Sequence, residues 1–504
     1  MSTLLLRADA SPQIGMGHVM RCLALAEPWL QAGSAVTLLT AAPSPALCAR
    51  AGSIGVTIRE LSAAPRSPAD ATETIALAQS LRAAWLILDG YHFDASFQRV
   101  IKMASIRFLV FDDTAYAAHY FADFILNQNL GTTAALYPHR DPTTSLLLGP
   151  RFVQLRSQFT TLPRDTEHRP ALGSTTAPAE QRSVLRLLVT LGGSDPDNVT
   201  GQVLTILQAV PNLTADIIIG PANPHSDALQ SAIHNPQSAI TLHTNPANLP
   251  YLMSRADLAI CGGGTTAWEL CFLGVPMLML VLAENQRTNA ERLAQIDAAI
   301  HTTVATLAAD LRTLLADAPR RAEMSRRARA LVDGLGPLRV WQRMNEDSLR
   351  LRPATADDCL HVWEWANEPT ARNMSFTSEP IPWEQHVAWF ARKLSNANTR
   401  LWIAEQERAP IGQVRFDLDS STASISVSLD ATRRGKNLGT LLIWSASQKL
   451  FRESATEVIH AFIKPANAAS IRAFEKAGFE PAGQTEVKGC AALRFELKRI
   501  VAEP

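Results

Sequence analysis

Twice along this chain of 504 residues, an apolar run feeds a glycine-rich loop that opens directly into a helix. The first instance joins residues 4–8 to Gly15-Met16-Gly17-His18-Val19-Met20-Arg21, with a helix expected over 18–32. The second joins residues 258–261 to Gly262-Gly263-Gly264-Thr265-Thr266-Ala267-Trp268-Glu269. A strand that turns at once into a helix, with another apolar run behind it, builds a parallel sheet covered on both faces. More such runs stand at 36–40, 85–88 and 107–111, and again at 185–191 and 216–219. We therefore expect an α/β chain with two similar doubly wound halves and a cleft between them. Ligands in such sheets bind beyond the carboxyl ends of the strands, where Asp9, Asp89 and Asp112 fall.

The first loop carries its own chemistry. Its glycines, Gly17 among them, let a ligand approach the backbone, and the helix start offers unpaired N–H groups to an anion. His18 stands at the positive end of the helix dipole, which suits a neutral general base. Arg21 lies one turn further on the same face, placed to reach a phosphate or to orient His18. A lone histidine at a helix start reads first as a cap, but the strand–loop–helix setting favours the functional reading. In the second loop, Gly263, Gly264, Thr265 and Thr266 suit a pyrophosphate. Glu269, one turn into that helix, is placed for ribose hydroxyls. A buried strand then ends at Glu284-Asn285-Gln286, and the amides of Asn285 and Gln286 donate and accept, as a polar sugar requires.

Lys+Arg and Asp+Glu both number 47. This balance speaks against a long nucleic-acid groove or a membrane-surface partner. The 6 cysteines form no C-x-x-C pair, so reduced thiols in a cytoplasmic compartment are expected, with no metal. The longest apolar stretch, near 275–283, is too short to span a bilayer, and the first residues lack the basic region of a signal peptide.

Residues 160–183 are rich in Pro, Thr, Ser and Ala without periodicity and read as a linker. Arg-rich helical sequence over 318–347 closes the second half. The expected organisation is a first lobe over 1–158, a linker over 159–184, a second lobe over 185–335, a connection over 336–348, and a third unit over 349–504. That third unit carries an amphipathic segment near 383–393 and strands over 401–404, 411–417 and 423–429. Arg433-Arg434-Gly435-Lys436-Asn437-Leu438-Gly439-Thr440 then opens a helix over 440–451. Successive backbone N–H groups in such a turn cradle a pyrophosphate.

Two resemblances follow from these motifs. Arg7-Ala8-Asp9-Ala10 with residues 14–21 is similar to the UDP-sugar hydrolases of the pseudaminic acid pathway. So are Leu147-Leu148-Gly149-Pro150 with Leu155-Arg156, Gly192-Gly193-Ser194-Asp195, residues 262–269 and Glu284-Asn285-Gln286. The resemblance covers about residues 1–335. It implies a two-lobed glycosyltransferase-B-like fold and metal-independent hydrolysis of UDP-2,4-diacetamido-2,4,6-trideoxy-β-L-altropyranose to UDP and free sugar. His18 falls on that family's catalytic histidine, with Asp9 or Asp89 as the acid that orients it.

The basic turn at 433–440 resembles the acetyl-CoA loop of GNAT acetyltransferases, R/Q-x-x-G-x-G/A, with Asn437 in place of the first glycine. Asn tolerates the positive φ such a loop needs. Asn467-Ala468-Ala469-Ser470 through Phe474, Lys476 and Gly478-Phe479 resembles the family's second cofactor motif. The resemblance covers about residues 349–497. It implies that Val427, Leu429, Arg434, Gly435, Lys436, Asn437, Leu438, Gly439, Thr440, Asn467, Phe474 and Lys476 meet acetyl-CoA. Many relatives carry Tyr where Phe474 stands, and Phe cannot protonate a CoA thiolate. Glu405, Asp417 and His386 are candidates for the base. The fusion then implies acetylation of a 4-amino UDP-sugar followed by hydrolysis. A glycosyltransferase with a UDP-sugar donor and a non-enzymatic sugar-nucleotide sensor are the competing readings.

Overall fold

The computed structural model describes residues 3–11, 14–162, 185–210, 213–220, 223–233 and 239–499. Residues 163–184 of the expected linker lie outside them. Residues up to Val340, apart from Gln31–Gly33, form one compact unit, and Trp341 onward forms the other.

The first unit holds two parallel sheets. In the first sheet β1 (Thr3–Ala8), β2 (Ala35–Thr40), β3 (Thr57–Glu60), β4 (Ala83–Asp89), β5 (Phe108–Phe111), β6 (Phe124–Asn127) and β7 (Ser145–Leu148) lie in the order β3-β2-β1-β4-β5-β6-β7. Leu4, Leu5 and Leu6 are all fully buried. A central strand of a parallel sheet has helices on both faces, so its sequence runs apolar without alternation.

The second sheet contains β8 (Leu185–Thr190), β9 (Leu213–Ile219), β10 (Ile240–Thr244), β11 (Leu258–Gly262), β12 (Met277–Leu280) and β13 (Ile300–Thr302), in the order β10-β9-β8-β11-β12-β13. Its two faces build separate cores. Ala259, Cys261, Met277 and Met279 enter one, while Ile260, Leu278 and Val189 enter the other. This is the period-two consequence of a pleated strand buried on both sides.

Order reverses at β1/β4 and at β8/β11. Such switch points open crevices at the carboxyl ends of the strands. The helix Gly17–Gln31 follows β1, and the helix Thr265–Leu273 follows β11. The expected helical stretch 318–347 breaks into Ala318–Leu331 and Gly336–Met344. The segment expected as a connection is thus helical, with Val340 and Trp341 buried.

The second unit is one sheet of β14 (Arg350–Pro353), β15 (Thr399–Gln406), β16 (Ala409–Asp419), β17 (Thr422–Leu429), β18 (Val458–Ile463), β19 (Glu480–Val487) and β20 (Cys490–Lys498). Their order is β14-β15-β16-β17-β18-β20-β19. All neighbours are antiparallel except β17 and β18. That parallel pair holds for only three positions, Thr422↔Val458, Ala423↔Ile459 and Ser424↔His460. Beyond them the two strands diverge, while β17 stays paired to β16 as far as Leu429 and β18 to β20 as far as Ile463. A wedge opens inside the sheet, and the helix Leu438–Glu453 starts beside it. Among the described residues, no helix is long and apolar enough to cross a membrane.

Candidate functional site

In the first unit the helix Gly17–Gln31 carries His18 out of the glycine loop beside the end of β4. His18 Nδ1 lies 2.6 Å from Asp89 Oδ1. Arg21 grips the same carboxylate, Nε to Oδ2 at 2.6 Å and Nη2 to Oδ1 at 2.8 Å. Its Nη1 donates to both oxygens of Asp113, at 2.9 and 3.0 Å. Burial by itself pushes the Asp89 carboxyl up, but Arg21 and His18 outweigh it and hold the group well below the usual carboxylate range. Asp89 therefore stays ionised and can only accept. The hydrogen sits on Nδ1 of His18, and Nε2 is left as the basic nitrogen.

Tyr91 continues this chain across the cleft. Its ring stands edge-on to His18, centroids 5.2 Å apart. Its hydroxyl donates to Asp113 Oδ2 at 2.9 Å and accepts from Asn285 Nδ2 of the second lobe at 2.8 Å. Burial and then the Asp113 charge raise the phenol above its ordinary value, so it remains a neutral donor. An unbroken path of polar contacts thus runs from Asn285 through Tyr91, Asp113, Arg21 and Asp89 to His18.

Between the two candidate orienting acids, the geometry selects Asp89. Asp9 is turned away, taking Arg7 Nη1 at 2.6 Å and the Ala41 N–H at 2.8 Å. Arg7 is also bound by Asp70, so the trio is a buried structural network. Arg21 is 5% exposed with its donors spent on two aspartates, so it positions rather than meeting a phosphate. Asp112 is likewise internal, accepting from the N–H groups of Thr114 and Ala115 at 2.6 and 2.7 Å and from the Tyr120 hydroxyl.

The second loop faces the first: a Cβ built on Gly17 would stand 4.0 Å from Thr265 Oγ1. Among the described residues no side chain caps the helix Thr265–Leu273, whose N-cap is Gly264. Its first N–H groups, near Thr265 and Thr266, therefore remain available to an anion. Gly263 has no room for a side chain, since a Cβ there would lie 2.8 Å from the Gln286 carbonyl oxygen. Gln286 itself is a brace, its Oε1 accepting from the Gly263 and Leu282 N–H groups at 3.0 and 3.2 Å. It holds the loop where the sequence suggested a sugar contact. Glu269 is paired with Arg156 at 2.6 Å, so a ribose would meet a carboxylate already fixed in place.

Sequence reasoning gave no role to Tyr91, Asp113 or Arg156. Tyr91 stands two residues past Asp89, and Asp113 ends β5's polar step, so position beyond a strand end was the available signal.

In the second unit the turn after β17 adopts the required backbone. Gly435 has φ +77° and Asn437 φ +56°, both left-handed. Asn437 is the N-cap residue of the helix Leu438–Glu453. Leu438 and Thr440 are buried, so what this helix start offers is backbone N–H groups. Val427 and Leu429 lie on the diverging part of β17, and a Cβ on Gly439 would meet Leu429 at 3.8 Å. Arg434 pairs with Glu368 at 2.7 Å, and Lys436 Nζ reaches the Thr432 carbonyl at 3.4 Å. Asn467 caps the helix Ala468–Lys476 by accepting from Ser470 N at 3.1 Å. Phe474 is buried edge-on against Phe479, centroids 5.0 Å apart. The wedge, the left-handed turn and the uncapped helix start together fit a diphosphate-bearing thioester such as acetyl-CoA.

The three candidate bases are each occupied. Glu405 accepts from Arg352 at 2.6 Å, and Asp417 from Lys393 at 2.6 Å. His386 is buried with Nε2 3.1 Å from the Cys359 carbonyl.

Residues 187–334 match the glycosyltransferase family 28 C-terminal domain, and residues 348–480 match the acetyltransferase (GNAT) domain. The architecture is thus a two-lobed, glycosyltransferase-B-like α/β unit followed by a GNAT acetyltransferase unit. The chain is 22% identical over 483 residues to an uncharacterized protein of Methanocaldococcus jannaschii, spanning 94% of this chain and 95% of that one. It is 33% identical over 164 residues to the spore coat polysaccharide biosynthesis protein SpsG of Bacillus subtilis, spanning 31% and 48%. It is 23% identical over 301 residues to the UDP-2,4-diacetamido-2,4,6-trideoxy-β-L-altropyranose hydrolase of Campylobacter jejuni, spanning 58% and 96%.

Proposed function

We propose that the first unit hydrolyses a UDP-sugar and that the second acetylates an amino group of the same sugar-nucleotide beforehand, using acetyl-CoA. The observation that carries the first half is the anchored His18, whose Nδ1 is tied to an ionised Asp89 at 2.6 Å. Nε2 takes a proton from water as its oxygen attacks the anomeric carbon. The bond from that carbon to the diphosphate oxygen breaks, UDP departs, and the configuration inverts. The leaving charge is met by the N–H groups at the start of the helix Thr265–Leu273. No step of this reading calls on a metal. Similarity to the Campylobacter hydrolase supports UDP-2,4-diacetamido-2,4,6-trideoxy-β-L-altropyranose as the substrate, which would place the chain in pseudaminic acid biosynthesis.

In the second unit, the turn from Arg434 to Thr440 would hold the diphosphate of acetyl-CoA and the wedge between β17 and β18 its arm. The acceptor amine attacks the thioester carbonyl, the C–S bond breaks, and amide and CoA thiol result. Alignment of the two reactants supplies the rate.

The match of residues 187–334 to a glycosyltransferase domain favours a second reading, transfer of the sugar to an acceptor other than water. The test gives the full chain a 4-amino UDP-sugar with and without acetyl-CoA, in water alone. Acetylation followed by UDP release is expected. UDP release only when a second alcohol is added supports the transferase. Equally fast hydrolysis of the non-acetylated sugar sinks the consecutive order.

A further inference from the structure

Arg372 is 9% exposed, its Nε is buried with no partner, and it donates to the carbonyl of Thr377. Burial holds its guanidinium below its ordinary value with no compensating carboxylate. An unpaired buried cation is costly and marks a place where a counter-charge belongs. Two ammonium groups join it. Lys464, at the end of β18, reaches the Asn373 carbonyl at 3.4 Å. Lys488, in the turn between β19 and β20, reaches Thr377 Oγ1 at 3.4 Å. Three separate elements thus bring cations to the segment 373–377, and none of the three makes an ion pair among the described residues. The turn after β17 already has its own cations in Arg433, Arg434 and Lys436. Two cationic clusters in one transferase unit suit two phosphate-bearing substrates.

We propose that Arg372, Lys464 and Lys488 form a diphosphate subsite for the acceptor, so that the amino sugar is acetylated while still joined to its nucleoside diphosphate. The inference rests on the acetyl transfer proposed above and adds the residues that select its substrate. A polycationic aminoglycoside is repelled by the same cluster.

The full chain and its Lys464→Ala, Lys488→Ala and double variants are assayed by release of CoA thiol. Both lysines sit on partly or fully exposed positions, so the variants fold. Each single variant raises the KM for the UDP-amino sugar about fivefold, and the double variant about twentyfold. The KM for acetyl-CoA stays constant, and the acceptor KM of the unaltered chain rises with ionic strength. An unchanged acceptor KM in the double variant overturns the subsite. A rise in the acetyl-CoA KM instead assigns the cations to the phosphates of CoA and overturns it equally. An unaltered chain that acetylates the free amino sugar or an aminoglycoside, yet leaves the UDP-amino sugar untouched, overturns the functional reading itself. That outcome is separate from any effect of the lysines.

Discussion

The site around His18 and the site around Asn437 are built from different materials. Around His18 the parts are charges buried in pairs: Asp89 and Asp113 share Arg21 through four contacts of 3.0 Å or less. Around Asn437 the working parts are backbone: a left-handed turn, an uncapped helix start and two strands that part after three pairs. The acids Glu405 and Asp417 are paired with Arg352 and Lys393, and His386 is held through Nε2 by the Cys359 carbonyl. On the functions proposed above, the contrast means that catalysis and stability would draw on the same interactions in the first unit, whereas in the second a substitution at the site would alter binding and leave the chemistry to alignment.

The largest expected break in that contrast is His18→Ala. It should lower kcat for UDP release by about 10²–10⁴-fold, with acetyl transfer by the same preparation unchanged, measured as CoA thiol. Unaltered UDP release would remove His18 from the mechanism.

Asp89→Asn tests whether chemistry and stability are coupled. It should cost about 3 kcal/mol in urea unfolding of the first unit, since it leaves part of Arg21 buried without its charge partner. Its UDP release should fall as well. The folded carboxyl lies well below its unfolded value of about 4. Its stabilisation is therefore complete above that pH and is lost only as pH falls through the lower folded value. The gap between parent and variant should stay constant from pH 8 to 5 and narrow only below pH 4.

A smaller effect sharpens the second half of the comparison. Asn437→Ala places a Cβ without a local polar group at φ +56° and should cost about 1 kcal/mol. The KM for acetyl-CoA should rise several-fold while kcat holds. Asn437→Gly should relieve the strain and leave KM unaffected. The smallest effect is expected from Asn285→Ala, which removes one hydrogen bond to Tyr91, about 1 kcal/mol. The expected readout is a roughly fivefold lower kcat/KM for UDP release with a thermal midpoint lowered by about 2–4 °C at most.

Much of this was legible in the chain. Central strands β1, β4, β8 and β11 announce themselves because burial on both faces makes them continuous apolar runs. Edge strands do not: β3 reads TIRE and β19 reads EPAGQTEV, both mostly exposed, so no burial imprints a pattern on them. The break at 332–335 was legible and overlooked, because Asp333-Gly334 and Gly336-Pro337 are both breaker dipeptides.

At the site, local spacing pointed to His18 and the glycines, whose roles depend on their own loop. It could not choose between Asp9 and Asp89, since each stands at a strand end and only the folded contacts of Asp9 with Arg7 and the Ala41 N–H engage it elsewhere. Nor could it see that Gln286 props up Gly263, a contact between residues 23 positions apart that closes only when the loop folds over the end of β12.

The bond from Asn285 to Tyr91 joins the two lobes at the far end of the path that terminates on His18. Opening the cleft by the length of one hydrogen bond would break that path and draw the helix Thr265–Leu273 away from Gly17 in the same motion. The imidazole would keep its partner, because Asp89, Arg21 and Asp113 all belong to the first lobe. On the hydrolytic reading proposed above, cleft opening would therefore act on the nucleotide side of the site and leave the His18–Asp89 pair ready as it stands.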